Sequence, residues 1–460
     1  MIYMDKQAAK LLKWYKENKR DLPWRNTKEP YQIWLSEIIL QQTRVSQGLD
    51  YYRRFVKSYP DIHALAAAPE RDVLKLWQGL GYYSRARNML HTARDIVQRT
   101  DGLFPVKYED IRRLKGIGNY TAAAIASFAY NQPYAVLDGN VMRVYSRLTG
   151  FTEPIDNPKG RKKLQHIADK FLVKENPSDY NQAVMELGAL VCLPQNPRCA
   201  DCPLQIYCSA YATHSVELIP VKQAKKKKKK RFLNYLVIQS GDKIVLRKRT
   251  RGDIWQGLYD FPCIETTSSA KVAYLTETSQ WQSIFGRKKL AIEAVSGEYR
   301  HILTHRTLLA TFVKIQSGDK AMILPEGCEW VSLRKLHTFP VPRLIDRYLS
   351  TNLLYTPQMG MIIYNVTINV DDNTHSAWLE WMQQVHIPDV LSTGLFTGYR
   401  LCRLLDVEDE GATYSVQYSC KSLDEYHRYK AEHAPRLQQE ALKKFGEKFT
   451  AFRTLLEVVE

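Results

Sequence analysis

Four residue groups have types and spacing that point to chemistry. Cys192, Cys199, Cys202 and Cys208 stand in "CLPQNPRCADCPLQIYC", half of the chain's eight cysteines in one short stretch. Thiols stay reduced inside cells, so this spacing favours a metal over disulfides, and four thiolates suit either tetrahedral zinc or an iron–sulfur cluster. Upstream, "LKGIGNYTAAAIASFAY" holds Gly116 and Gly118 just before a helical run. A Gly-x-Gly turn there exposes backbone N–H groups where the helix dipole also favours a phosphate, although an ordinary helix–helix corner has the same pattern. In "VLDGNVMRV", Asp138 precedes a glycine and another helix, the place of an N-cap. In "WLSEIILQQTRV", Glu37 lies among Trp34, Leu35, Ile38 and Ile39, which would hold its carboxyl protonated if they bury it. Taken alone, it reads as a surface helix glutamate.

These groups need elements to position them. The chain has 460 residues, 45% of them hydrophobic, enough for about three domains at roughly 150 each. Residues 1 to about 215 read as helix after helix: "YQIWLSEIILQQTRVSQGLDYYRRFVKSYP" and "DYNQAVMELGALVC" place apolar residues at i, i+3, i+4 and i+7. A basic linker follows over 216–231, with lysine at every position from Lys225 to Lys230. From 232 to 350, short alternating runs such as "NYLVIQSG", "KIVLRKRT", "LLATFVKIQ" and "CEWVSL" predict strands of an α+β domain. Residues 351–460 order as strand, helix, strand, strand, helix, strand, the pattern of a ferredoxin-like sandwich, with Cys402 and Cys420 as buried thiols in its strands.

Charge narrows the partner. The formal charge is +18, divided as +23 over the first 350 residues and −5 over the rest, so the basic part suits a polyanion. Asp5 and Lys10 interrupt any signal-peptide core, and no stretch nears the ~20 apolar residues of a membrane span, which predicts an intracellular protein.

The glycine hairpin, the following Asp138 and the four cysteines together resemble the helix-hairpin-helix DNA glycosylases that carry a 4Fe-4S cluster, a resemblance covering residues 1 to about 215. Bifunctional members similar to endonuclease III have a lysine where this chain has Tyr120, which implies base removal without strand cleavage. "WLSEIILQQTRV", "LPWR", "GLGYYSRARN" and "NQAVMELGALVC" resemble the MutY-type adenine DNA glycosylases. The resemblance implies a protonated Glu37 delivering a proton to adenine N7. It makes Asp138 the ionised group that stabilises the oxocarbenium or traps it covalently, with Tyr120 beside the sugar. Trp24, Arg25 and Gln182 match adenine-pocket positions, Gln182 standing where some relatives have Glu. Gln42, Thr43, Leu80 and Tyr82 match residues that probe the opposite strand, Gly116 and Gly118 the hairpin that meets phosphate.

In the second domain, "RGDIWQGLYDFPCIE" and "RHILTHRTL" resemble the family's Nudix-like domain. The Arg-Glu-x-x-Glu-Glu signature of the hydrolases is missing, so the implied role is recognition of 8-oxoguanine without hydrolysis. Leu303, Thr304 and His305 take the place of a Phe-Ser-His loop, keeping the hydroxyl and imidazole and losing the aromatic. The acidic third domain resembles a small uncharacterised bacterial domain that can stand alone, and its exposed sheet suits self-association. The implied whole is a multidomain cytoplasmic, nucleoid-associated bacterial enzyme of base excision repair acting on double-stranded DNA with A opposite 8-oxoguanine or G. A lesion-binding module without turnover, and a mismatch thymine or uracil glycosylase, are the other readings.

Overall fold

The computed structural model describes residues 2–223, 228–250, 252–286, 291–303, 305–317, 324–352, 362–405, 411–420, 422–446 and 448–458. It forms two compact units, Met1–Leu353 and Leu354–Glu460.

The first unit opens with helices from Ile2–Asn18 to Ser209–Ala212. Their ends are set by local chemistry. Asp61 caps Ile62–Ala67 by accepting from Ala64 N at 2.8 Å, and Asn157 caps Pro158–Phe171 through Gly160 N at 2.6 Å, with proline in the first turn. Asn131 and Gly150 end two later helices in the left-handed conformation. Helix Pro30–Leu40 is central: Tyr31 and every residue from Ile33 to Ile39 are buried. Glu37 therefore sits on a core helix and not on a surface one. Trp34, Leu35, Phe55, Leu65 and Trp77 fill the interior around it with essentially no exposure.

Among the described residues, eight strands follow in the same unit: β1 (Lys229–Ser240), β2 (Lys243–Lys248), β3 (Tyr259–Asp260), β4 (Cys263–Thr266), β5 (Ala291–Val295), β6 (Tyr299–Ile302), β7 (Arg306–Gln316) and β8 (Cys328–Ser332). The path runs β3-β2-β1-β7-β5, with β4 also on β1, β6 on β7 and β8 on β2. At its centre β1 and β7 run parallel, from Lys229 opposite Arg306 to Gln239 opposite Gln316. Leu236, Ile238, Val245, Ile264, Val313 and Ile315 pack beneath helices Val272–Thr276 and Ser279–Phe285. One boundary moves. Lys229, Lys230 and Arg231, read as linker, belong to β1, because their backbones pair with β7 and Arg231 pairs through two nitrogens with Glu265.

The second unit carries β9 (Ile362–Val370), β10 (Gly398–Arg403), β11 (Ala412–Cys420) and β12 (Phe449–Glu457) in the order β10-β11-β9-β12, all antiparallel, the ferredoxin-like arrangement. Alternation sorts its faces: Tyr364, Val366, Ile368, Tyr414, Val416 and Tyr418 join Trp378, Leu437 and Phe445 in one core. On the opposite face Asn365 bonds Thr454 and Ser415, while Phe452 and Leu456 are exposed. Cys420 is buried as expected. Cys402 is only partly buried, because it lies on that outer face opposite Ser415 of the neighbouring strand.

Among the described residues, no helix is long and apolar enough to cross a membrane.

Candidate active site

A cavity of about 660 Å³ opens between the helices, lined by Trp24, Arg25, Glu37, Thr43, Tyr120, Asp138 and Gln182 among others. Each comes from a different approach of the chain. Trp24 and Arg25 lie on the single turn Pro23–Arg25, Glu37 on Pro30–Leu40, Tyr120 at the start of Asn119–Tyr130, and Gln182 on Pro177–Leu190.

Glu37 is 6% exposed, and burial pushes its carboxyl up to about 7. The hydrogen bond that Tyr120 OH donates to Glu37 Oε2 at 2.7 Å opposes this, the negative charge of Asp138 adds to it, and Arg25 subtracts a little. Tyr120 itself is raised well above the ordinary phenol value, first by burial and then by the two carboxylates, so it stays a neutral donor. With Oε2 occupied by the phenol, Oε1 is left to carry the acid proton.

Asp138 is the N-cap of Gly139–Thr149, as its position predicts: Oδ1 accepts from Val141 N at 2.7 Å, and Oδ2 from Asn140 Nδ2 at 3.0 Å. Burial raises its pKa, while these donors and the Arg143 cation pull the other way. The contrast with Glu37 is physical. Both carboxyls are desolvated, but Asp138 is met by donors at each oxygen and by the positive end of a helix. Capping and cavity lining are compatible here, not alternatives.

Two features of this wall escape sequence reading. Glu186, buried beneath the cavity, binds Arg20 through both oxygens at 2.8 and 2.7 Å and Arg25 at 2.7 Å. Burial would raise it, yet the two guanidinium groups hold it down to about 2. Arg25 is thereby fixed beside Glu37. Asn140 orients Asp138, and Arg143 links Asn140 Oδ1 (2.9 Å) to the Gly188 and Cys192 carbonyls (both 2.6 Å). Gln182 is held by Tyr15 OH at 3.2 Å and donates to Ser178 Oγ at 3.3 Å. The clue was spacing: Gln182 and Glu186 are i and i+4 on one helix face.

The remaining predicted residues lie away from this lining. Gln42 is exposed with φ of +56°. Leu80 turns inward at 8% exposure, whereas Tyr82 is 49% exposed with φ of +47°, so of these two only Tyr82 is presented outward. Gly116 has φ of +83°, and an added Cβ would lie 2.7 Å from Asn88 Cβ, so the turn needs glycine; Gly118 N-caps the following helix. Leu303 and His305 form the turn between β6 and β7, closed by Leu303 N to Arg306 O at 2.8 Å; Thr304 lies outside the described residues. Cys192, Cys199, Cys202 and Cys208 are free thiols on short turns beyond Pro177–Leu190. Burial raises Cys199, Cys202 and Cys208, and the neighbouring thiols raise them further. Arg147 donates to Cys192 Sγ at 3.3 Å. Among the described residues, no three His, Cys, Asp or Glu side chains converge as a metal site.

Residues 35–170 match the model of the HhH-GPD superfamily base excision DNA repair protein, residues 234–351 a NUDIX domain, and residues 361–459 a domain of unknown function, DUF4286. The adenine DNA glycosylase of Buchnera aphidicola subsp. Schizaphis graminum is 31% identical over 353 residues, covering 76% of this chain and 98% of its own length. The human adenine DNA glycosylase is 30% identical over 390 residues, 72% of this chain and 71% of that one. Among solved structures, a thermostable thymine-DNA glycosylase aligns at 27% identity and a TM-score of 0.42, over 45% of this chain and 98% of that one. A likeness that runs through both the helical and the Nudix-like parts, to nearly the full length of a named relative, shows that the chain belongs to the adenine DNA glycosylase family, DNA-acting hydrolases of base excision repair.

Proposed function

We propose that this chain is a monofunctional glycosylase that removes adenine paired with 8-oxoguanine, or with G, from duplex DNA. The observation that carries the reading is Glu37, a carboxyl pushed up to about 7 and bonded to Tyr120 in a cavity shared with Asp138. The target adenine must leave the stack to enter this space. Proton transfer from Glu37 to N7 makes the leaving base neutral as positive charge grows on the sugar. Asp138, kept ionised by its donors, faces that charge and either stabilises the cation or forms a covalent bond to it, to be displaced by water. Tyr120 stands where bifunctional relatives place a lysine. Lys28 also lines the cavity, but its ammonium is engaged by Phe128 O at 3.0 Å and Ser178 Oγ at 3.3 Å. The β6–β7 turn, with Leu303 partly buried and His305 exposed, is the surface that reads 8-oxoguanine in this proposal.

Cys192, Cys199, Cys202 and Cys208 would hold a 4Fe-4S cluster, which supplies a fixed scaffold for the loop between Cys192 and Cys199. The donor chemistry supports this, with four free thiols on one short stretch, three of them raised by burial and by their neighbours, and Arg147 donating to the sulfur of Cys192, although the four side chains do not converge as a closed site among the described residues. Arg198, at the edge of that loop, then meets DNA phosphate.

A single-turnover assay with adenine opposite 8-oxoguanine, G, C or T tests the proposal. The expected protein is brown with broad visible absorption, fastest opposite 8-oxoguanine, and gives no borohydride-trapped adduct through lysine. Release of thymine or uracil in place of adenine, or tight binding without an abasic product, would sink it and favour a mismatch glycosylase or a lesion-binding module respectively.

The second unit leaves one sheet face, with Phe452 and Leu456, open to solvent, which favours self-association through it. Sedimentation velocity of the full chain should show a dimer growing in with concentration, and a monomer throughout the tens of micromolar range excludes it.

A further inference from the structure

The loop between helices Glu70–Leu76 and Ser84–Thr100 carries Tyr82 on an unusual backbone: Gly79, Gly81 and Tyr82 have φ of +102°, +71° and +47°. Two sets of bonds hold it from different sides.

The first set reaches the helix that bears Glu37. One terminal nitrogen of Arg85 donates to the carbonyls of Ile38 (2.8 Å), Ile39 (3.1 Å) and Gln41 (2.6 Å), at the C-terminal end of Pro30–Leu40. A cation is favoured at that end of a helix, and the rigid guanidinium fork fixes both directions at once. The other terminal nitrogen donates to Leu80 O at 3.4 Å and Gly81 O at 3.2 Å, while Trp77 Nε1 adds a bond to Gly81 O at 2.9 Å. The same guanidinium lies 5.0 Å from the Trp77 ring centroid and 5.7 Å from that of Tyr82.

The second set reaches the Nudix-like part. Gln78 Oε1 accepts from Val341 N at 3.2 Å and from Lys75 Nζ at 3.2 Å, and Gln78 Nε2 donates to Asp346 Oδ1 at 3.2 Å. Lys75 Nζ also donates to Phe339 O at 3.3 Å, and Tyr83 OH to Val341 O at 3.4 Å while accepting from Gly79 N. Close packing accompanies these bonds. A Cβ on Gly257, in the turn before β3, would lie 2.9 Å from both Leu74 Cδ1 and Glu70 Oε1 and press on the helical part, and the φ of +83° there favours glycine as well.

We propose that the Gly79–Tyr82 loop is a coupling element, in which Gln78 and Arg85 are positioning residues that let the lesion-reading domain set the register of Tyr82 against Glu37. The inference rests on the function proposed above and adds to it a route by which the opposite base affects excision. The bonds are direct at every step from residues 339–346, through Gln78, to the loop, and from the loop through Arg85 to the end of the acid helix. A displacement of the acid of about 1 Å can cost on the order of 100-fold in rate, so a taut connection has leverage.

A double-mutant cycle tests it. Single-turnover excision is measured opposite 8-oxoguanine and opposite G for the parent, Gln78→Ala, Tyr82→Ala and the double variant. The expected result is a loss of about tenfold opposite 8-oxoguanine for Gln78→Ala, a loss of at most about twofold opposite G, and no further loss when Tyr82 is already alanine. Should Gln78→Ala prove unfolded, Arg85→Lys, which keeps the charge and loses the fork, replaces it in the cycle with the same non-additivity expected. Additive effects, or an unchanged 8-oxoguanine-to-G ratio in a folded variant, overturn the inference alone. A parent that excises no adenine overturns the proposed function, and the inference with it.

Discussion

Glu37→Gln should excise adenine at least about 1,000-fold more slowly than the parent in single turnover, within the range for removing a general acid, while binding the same duplex with little change. The pH profile of the parent supplies the sign. In the proposed mechanism the active form is the protonated carboxyl, with a pKa pushed up to about 7 by burial, so on the alkaline side kcat/KM falls as pH rises through about 7. The glutamine variant should show no such fall. A second readout is independent of catalysis. A carboxyl whose folded pKa stands above its unfolded value binds its proton more tightly in the native state, so its contribution to stability declines between the unfolded value and about 7. Glu37→Gln should therefore be more stable than the parent at pH 8, by about 1–3 kcal/mol, and not at pH 4. A parent rate that rises steadily from pH 5 to pH 9 would contradict the assignment.

Asp138→Asn should lose a comparable factor, about 100- to 1,000-fold, for a different reason, and should do so without losing the fold. Asparagine is as good an N-cap as aspartate, so helix Gly139–Thr149 keeps the bond to Val141 N and the melting temperature should stay within a few degrees. What disappears is the negative charge facing the developing cation. Asp138→Ala separates the two jobs, adding about 1 kcal/mol of lost capping to the same loss of rate. Calorimetry beside the excision assay distinguishes these outcomes. An Asp138→Asn enzyme with near-parental rate would leave Glu37 as the sole acid–base group.

The candidate site's central residues are legible because each stands in a short local pattern. The run around Glu37, the Gly116–Tyr120 turn and Asp138 before Gly139 each announce a short element, and the fold brings Glu37, Tyr120 and Asp138 to one cavity. The strand runs of the second and third parts also appear where alternation puts them, and the single helical run near the end divides before Pro435 into Leu423–Glu432 and Ala434–Phe445. What stayed hidden depends on approach over long stretches of chain. The Arg20–Glu186 pair joins residues 166 apart, and Gln78–Asp346 joins residues 268 apart. No periodicity encodes such a meeting. Nor does spacing say that Leu80 turns in and Tyr82 out, which positive φ at Gly81 and Tyr82 decides. Nor does it say that the second domain packs on the helices, through Gly257 and the bonds at residues 339–346, closely enough for the two to form one compact unit.

Arg147 and the segment after the cysteines give the linker another meaning. Arg147 Nε donates to the carbonyls of Val216 (3.0 Å) and Ile219 (2.9 Å), Ile155 N donates to Val221 O at 3.0 Å, and Gln223 N to Asp156. The chain is thus tied down as far as Gln223, and β1 begins at Lys229. Six peptide steps separate Gln223 from Lys229, a contour of at most about 20 Å. A leash that short keeps the local concentration of one part near the other in the millimolar range. Were the Gln78 contacts to open, re-closure would be a first-order local event, independent of enzyme concentration, and the Nudix-like part would never be lost to solution between one encounter with DNA and the next.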